Sequence, residues 1–281
     1  MNFLLKFLNG CSLAAVHAGL TRGPAAARKV IGETLRAAYP PDVPQIHWWD
    51  LARMFANDEN IVLHDGEWTD GCIAPLERYV LAHLIHYFKP QVLLEVGTYR
   101  GCTTRILHDN APAGAEIYTI DLPRGIEATA VAHSSDARLI NTRDVGVAFA
   151  GLAGDGRCGI RQIFGSTLDA RTWEGLPRRF DFVFIDASHT YEAVRNDTRR
   201  VLERCGPGSV VVWHDYGEDV TVERGVGRFI RELMRERSDI YVCPDTTLAL
   251  LLPAADVEAG RKRAQSFLRK TQVIAETDLV S

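Results

Sequence analysis

The sequence predicts an α/β fold: a doubly wound, mostly parallel seven-stranded sheet preceded by a helical N-terminal extension. Three observations predict it. From Gln91 onward, short apolar runs alternate with helical stretches, the pattern of strands joined by crossover helices around a parallel sheet. Upstream, from Met1 to about Lys89, no strand-type alternation is sustained. The first run of the alternating region, Val92 to Val96, enters a turn with glycines at 97 and 101 and then a helix, as strands do when they hand over to crossover helices.

In chain order, the extension (1–89) reads as helices and loops broken at Pro40, Pro41 and Pro44. Its last segment, Pro75 to Phe88, sets Leu76, Tyr79, Val80, Leu84 and Tyr87 at helical spacing, a helix that packs onto the sheet domain after it. The extension is a cap or an oligomer-forming appendage. In the sheet domain (90–253), strands are expected at Val92 to Val96, Glu116 to Asp121, Arg161 to Phe164, Phe182 to Asp186, Ser209 to Trp213, Ile240 to Cys243 and Leu248 to Leu252. Helices are expected at Cys102 to Asp109, Tyr191 to Arg204 and Gly225 to Glu236. The connection from Arg124 to Gly159 is long and weakly periodic, and connections of that length usually carry function. The charged stretch from Ala254 to Ser281 (254–281) reads as a terminal helix or tail.

A chain of 281 residues, 46% hydrophobic, can bury one large core and a helical appendage. Its net charge of −4 lacks the basic excess of a phosphate-tracking surface, so the expected partner is a small molecule and not nucleic acid. Cys11, Cys72, Cys102, Cys158, Cys205 and Cys243 form no C-x-x-C pair, which suits buried reduced thiols in a cytoplasmic protein better than a zinc site or a disulfide framework. The first twenty residues loosely imitate a secretory signal, but Lys6, Asn9 and Gly10 interrupt the apolar run, and an amphipathic helix is the reading. No apolar stretch reaches the ~20 residues of a transmembrane helix. Trp48, Trp49, Trp68 and Trp213 are read as core before pocket.

Chemistry concentrates at strand ends. In LLEVGTYRGCTTRIL, Gly97 and Gly101 let the backbone turn sharply and approach a ligand without a Cβ, and the helix N-terminus beside them offers N–H groups to a carboxylate. The spacing lacks the third glycine of the dinucleotide fingerprint, which argues against a nicotinamide oxidoreductase. Asp121, ending the next strand, is placed to accept both hydroxyls of a ribose. The runs FDFVFIDASHTYE and VVVWHDYG end in Asp186 and in His214 and Asp215, which should converge on the crevice that Gly97 faces. A histidine beside two carboxylates suits a divalent ion, and His189 or His214 suits a general base. The bland alternative stays open: His189 caps the following helix and His214 packs sideways on its strand.

These residues resemble the class I S-adenosylmethionine-dependent methyltransferases, and within them a bacterial branch with strand ends of the form IDG-x-H-x-Y-E and HDY. Here those motifs are Ile185, Asp186, Ala187, Ser188, His189, Thr190, Tyr191 and Glu192, and His214, Asp215 and Tyr216. The resemblance runs from about Pro75 to Leu252 and includes EVGTYRG, TIDLP, FGST and the GPG turn before the fifth strand. It implies a Rossmann-like methyltransferase sheet in which Glu95, Gly97, Thr98 and Gly101 surround the methionine part of S-adenosylmethionine. It further implies that Asp121 holds the ribose, that Gly165 and Ser166 lie by the adenine, and that Asp186 sits at the methyl-donor end. By the same resemblance, Asp186, His214 and Asp215 would bind Mg²⁺ or Mn²⁺. The chain departs from the pattern at Ser188, where relatives carry a catalytic Asp, at His214, where they carry a carboxylate, and at Ala187 for glycine. Asp186, His189 and Asp215 are therefore the expected catalytic residues, with His189 replacing the missing base.

The expected activity is methyl transfer from S-adenosylmethionine to a small-molecule hydroxyl, on a sugar or natural-product intermediate, with divalent-metal assistance. The alternative is a catalytically inactive cofactor-binding protein of the same fold, motivated by Ser188 and His214. A metal-dependent hydroxylase on the same sheet is the remaining class.

Overall fold

The computed structural model describes residues 43–56, 60–63, 71–123, 144–152, 154–217 and 225–277. The expected N-terminal amphipathic helix, Trp68, Cys11 and most of the connection after Arg124 lie outside those residues. Among the described ones, all seven expected strands form: β1 (Val92–Val96), β2 (Glu116–Asp121), β3 (Gly159–Phe164), β4 (Phe180–Ile185), β5 (Cys205–Trp213), β6 (Ile240–Val242) and β7 (Ala249–Leu251). The helices are α1 (Trp48–Met54), α2 (Pro75–Phe88), α3 (Cys102–Asn110), α4 (Tyr191–Leu202), α5 (Val226–Glu236) and α6 (Ala254–Thr277).

The strands pair in the order β3-β2-β1-β4-β5-β7-β6. The first five run parallel, and β7 is antiparallel to both β5 and β6. The chain therefore winds outward from β1 to β3, then returns to the middle and winds the other way from β4. Such a reversal, at the carboxyl ends of β1 and β4, is where open α/β sheets bind ligands.

The pleat explains how the layers are sorted. Along β1, Leu93 packs under α2 and α3 with Leu81, Leu84, Ile85, Ile106 and Leu107, while Leu94 and Val96 face the opposite layer. That second layer brings Val194 and Val201 of α4 and Phe229 and Ile230 of α5 onto Val183, Ile185, Val211 and Trp213. Central strands covered on both faces are almost wholly apolar, whereas edge strand β3 is only partly covered. Glu95 shares the Leu93 face, which places a carboxyl inside the core beneath α3. Trp213 is wholly buried and its indole N–H donates to Thr198 Oγ1 at 2.9 Å, so it belongs to the core. Trp48 packs edge-on to Tyr79, and Trp49 stays exposed on the ring of His47.

Most bounds shift by a residue or two; two strand ends and one helix cap differ for physical reasons that can be named. β4 ends at Ile185, so Asp186 lies just past the ladder with its side chain beside His189 and His214. β5 begins at Cys205: the expected GPG turn lies inside it as a bulge, because Cys205 pairs with Phe180 while Val210 pairs with Phe182. Helix α4 is capped by Thr190, whose hydroxyl accepts the N–H of Ala193, and not by His189.

The extension continues the core. Pro75 opens α2 at a position where a missing N–H costs nothing, and Glu77 accepts the N–H of Ala74 at 2.8 Å. Ile46 N–H donates to Val242 O and Val242 N–H to Pro44 O, which covers the β6 edge. The guanidinium of Arg263 on α6 donates twice to Met54 O, tying α6 to α1. Of the described cysteines only Cys243 is buried; Cys72, Cys102, Cys158 and Cys205 are half-buried. No described helix is long and apolar enough to cross a membrane.

Candidate active site

The glycine turn after β1 is built against the end of β4. Gly97 has φ +101, and a Cβ there would stand 2.1 Å from the carbonyl oxygen of Asp186. Gly97 N–H donates to Ile120 O, and Asp186 N–H donates to Val96 O, so the ends of β2, β1 and β4 close around this residue. The expected reason for glycine, close approach of a ligand, gives way here to close approach of Asp186's own backbone. Gly101, at φ +81, is similar: the ring of Phe149 lies 2.5 Å from where its Cβ would be. Phe149 arrives on a short turn of helix, Val147–Phe149, whose loop pairs with the glycine turn through Gly146 N–H to Tyr99 O and Ala148 N–H to Arg100 O.

Asp121 ends β2 beside this turn. Its Oδ2 accepts the N–H groups of Thr98 at 3.1 Å and Tyr99 at 2.6 Å, and its Oδ1 accepts that of Leu122. Burial raises its pKa, against the pull of those three N–H groups. Gly165 and Ser166 follow β3 next door, with Gly165 N–H on Asp121 O and Ser166 O accepting the Thr172 hydroxyl.

Beneath the turn runs a buried polar chain. Gln162 Nε2 donates to Thr98 Oγ1 at 3.0 Å, Thr98 and Thr119 share a hydroxyl bond of 2.6 Å, and Thr119 donates to Glu95 Oε2, which also accepts from Thr104. Thr98 thus turns its side chain inward. Glu95 Oε1 is buried and meets no partner among the described residues. Burial pushes the Glu95 carboxyl up to about 8, Thr104 and Thr119 opposing the rise and Asp186 and Asp121 adding to it. The folded protein then holds a proton that the unfolded chain releases above about 4.5. Its contribution to stability is complete below that value and is lost as pH rises through about 8. Glu95→Gln keeps the neutral shape, so thermal unfolding between about pH 4.5 and 8 should show a declining midpoint for the parent and a flatter one for the variant.

At the ends of β4 and β5 a cluster of carboxylates and imidazoles assembles. His189 Nε2 lies 2.7 Å from Asp215 Oδ2 and 3.7 Å from Asp186 Oδ1. His214 Nδ1 lies 3.2 Å from Asp186 Oδ1 and 3.4 Å from Asp215 Oδ1, and its Nε2 is 3.2 Å from Glu77 Oε2. Neither histidine takes the bland role open to it in the sequence. Asp215 adopts φ +60, an uncommon conformation for a residue with a side chain and one that clusters at functional sites. Burial disfavours charge on His214, but Asp186, Asp215 and Glu77 outweigh it and hold its pKa well above the usual imidazole value. Burial likewise works against the charged forms of Asp215 and Glu77, and the neighbouring imidazoles reverse it, keeping both carboxyls below the usual range.

The donor chemistry fits a divalent ion. Asp186, His189 and Asp215 bring ligand atoms within 4.8 Å of one another, and His214 adds a second nitrogen beside both carboxylates. Glu77 and Thr247 are the members that motif spacing missed. Glu77 reads in the sequence only as the third residue of a helix, and Thr247 sits in the turn between the two short last strands. Gln162 and Phe149 also carried no motif, and Thr104 lay in the glycine-turn segment without an assigned role.

Residues 94–216 match a protein-family model described as a methyltransferase domain. The matched segment runs from within β1 to just past β5 and so lies on the parallel part of a Rossmann-like seven-stranded sheet. Among solved structures, it is similar to an O-methyltransferase from Bacillus cereus in complex with S-adenosylhomocysteine, at 19% identity over 78% of this chain and 90% of that one, with a TM-score of 0.44. It is also similar to the O-methyltransferase TomG from Streptomyces achromogenes, involved in tomaymycin synthesis, at 20% identity over 76% and 93%, TM-score 0.47. A third is the S-adenosylhomocysteine-bound methyltransferase PaMTH1 from Podospora anserina, at 15% identity over 65% and 80%, TM-score 0.47. No curated protein matches the chain in sequence.

Proposed function

We propose that the protein transfers the methyl group of S-adenosylmethionine to a hydroxyl oxygen of a small cytoplasmic molecule, a sugar or natural-product intermediate, assisted by Mg²⁺ or Mn²⁺. One observation supports the reading: the glycine turn touches both acids, giving the N–H groups of Thr98 and Tyr99 to Asp121 and pressing Gly97 against the carbonyl of Asp186. It also fits the bacterial branch that the IDASHTYE and HDY strand ends resemble. Residues 90–253 are then the catalytic domain, 1–89 the cap and 254–281 a terminal helix.

In this reading the backbone of the turn from Gly97 through Thr98 to Gly101 holds the methionine part of the donor, and Glu95 supports that turn from below through Thr119 and Thr98. Asp121 exchanges some of its contacts with the turn for the ribose hydroxyls, and Gly165 and Ser166 flank the base. Asp186 and Asp215, with a histidine nitrogen, hold the divalent ion. When bound, such an ion stabilises a developing alkoxide and so eases ionisation of an aliphatic hydroxyl. His189 takes the acceptor's proton, and Asp215, 2.7 Å from its Nε2, orients the ring and stabilises its charged form. The fixed crevice aligns acceptor oxygen and methyl carbon for in-line displacement.

The test is transfer of labelled methyl from S-adenosylmethionine to a panel of glycosides and hydroxylated natural products, with and without chelator. Turnover that chelator suppresses is expected. Asp121→Ala is expected to raise KM for the donor by roughly tenfold or more, the loss of one or two hydrogen bonds to a charged acceptor. Donor binding without any transfer would favour the inactive cofactor-binding alternative, and absence of binding would end both.

A further inference from the structure

We propose that Glu77, on the helix ahead of the sheet, is a positioning residue that turns Nδ1 of His214 toward the Asp186–Asp215 pair and makes it the imidazole donor for the divalent ion. This rests on the metal-assisted reading above and adds to it a residue outside the matched segment 94–216.

Glu77 is 2% exposed, and both of its oxygens are occupied as acceptors. Oε1 accepts the N–H and the hydroxyl of Thr247, each at 2.8 Å, and Oε2 accepts the N–H of Ala74 at 2.8 Å. A carboxylate committed in this way leaves Nε2 of His214, 3.2 Å from Oε2, to act as the donor. With the Nε2 proton held by Glu77, the proton that an ion displaces from His214 is the one on Nδ1, and the lone pair so freed is on that atom. That atom stands 3.2 Å from Asp186 Oδ1 and 3.4 Å from Asp215 Oδ1. Ligands held around one ion by bonds of about 2.1 Å stand roughly 3.0–3.4 Å apart, so Nδ1 already has ligand spacing from each carboxylate. A ligating histidine whose other N–H is accepted by a carboxylate is the usual way of orienting such a ring. His189 is the rival donor, but its Nε2 sits at hydrogen-bond distance, 2.7 Å, from Asp215 Oδ2, which suits the base. An imidazole in the set favours Mn²⁺ over Mg²⁺. Helix α2 thus completes the site.

The test is Mn²⁺ binding to the full chain, by calorimetry and by pulsed electron paramagnetic resonance, which reads imidazole nitrogen bound to the ion. The amide of Glu77→Gln keeps the shape but sets an NH₂ group against donors, from Ala74 and His214 or, if flipped, from Thr247. The parent should bind Mn²⁺ with a nitrogen signal and prefer it to Mg²⁺. Glu77→Gln should lose the signal and bind roughly 10–100-fold more weakly. Glu77→Asp, too short to reach His214, should do the same if the first variant is unstable. His214→Ala should lose the signal, His189→Ala should keep it, and S-adenosylhomocysteine affinity should hold throughout. A signal that survives in Glu77→Gln, or that disappears only in His189→Ala, overturns the proposal alone. A parent that binds S-adenosylhomocysteine but no Mn²⁺ overturns the metal-assisted reading and the proposal with it.

Discussion

Gly97→Ala is expected to abolish donor binding and to lower the thermal unfolding midpoint. The added Cβ would lie 2.1 Å from Asp186 O and 2.9 Å from Ala187 Cα, both backbone atoms that cannot rotate away. An L side chain at φ +101 adds strain of about 1–3 kcal/mol before the overlap is counted. Relief requires β1 and β4 to separate at their carboxyl ends. That displaces Asp186 as well as the turn, so calorimetric titration with S-adenosylhomocysteine should show at least a hundredfold loss, and circular dichroism the lower midpoint.

Asp186→Ala should reduce kcat by roughly 10²–10⁴-fold, the range for a group that handles charge in the transition state. The side chain neighbours both histidines, at 3.2 Å from His214 Nδ1 and 3.7 Å from His189 Nε2. Its backbone, which packs on Gly97, is untouched, so donor affinity should change far less than turnover. An unchanged kcat would place the chemistry elsewhere. Binding without turnover in the parent as well as the variant would favour the inactive alternative.

The sheet was legible because parallel strands covered on both faces must be apolar, and turn residues bracket each run. β1, β2 and α2 appear with the bounds the pattern assigns. The GPG bulge escaped because pairing register is a property of two strands, and one strand's composition does not reveal it. That Gly97, Asp121, Asp186, His214 and Asp215 lie close together was legible because strand order brings strand ends together. Their partners were not. Glu77 reaches His214 from a helix far upstream, and Thr247 reaches Glu77 from the turn before the last strand, contacts that only packing creates. The reason for each glycine was also hidden: Phe149 and the Asp186 carbonyl fill the space that sequence alone leaves for a ligand.

The most direct test is a crystal of the chain soaked with S-adenosylhomocysteine and Mn²⁺. A single shared crevice predicts the amino-acid end along the Gly97–Gly101 turn, the ribose on Asp121, and the sulfur facing an ion between Asp186 and Asp215. A nucleoside bound on another face, with the Gly97–Asp186 contact unvisited, would contradict it.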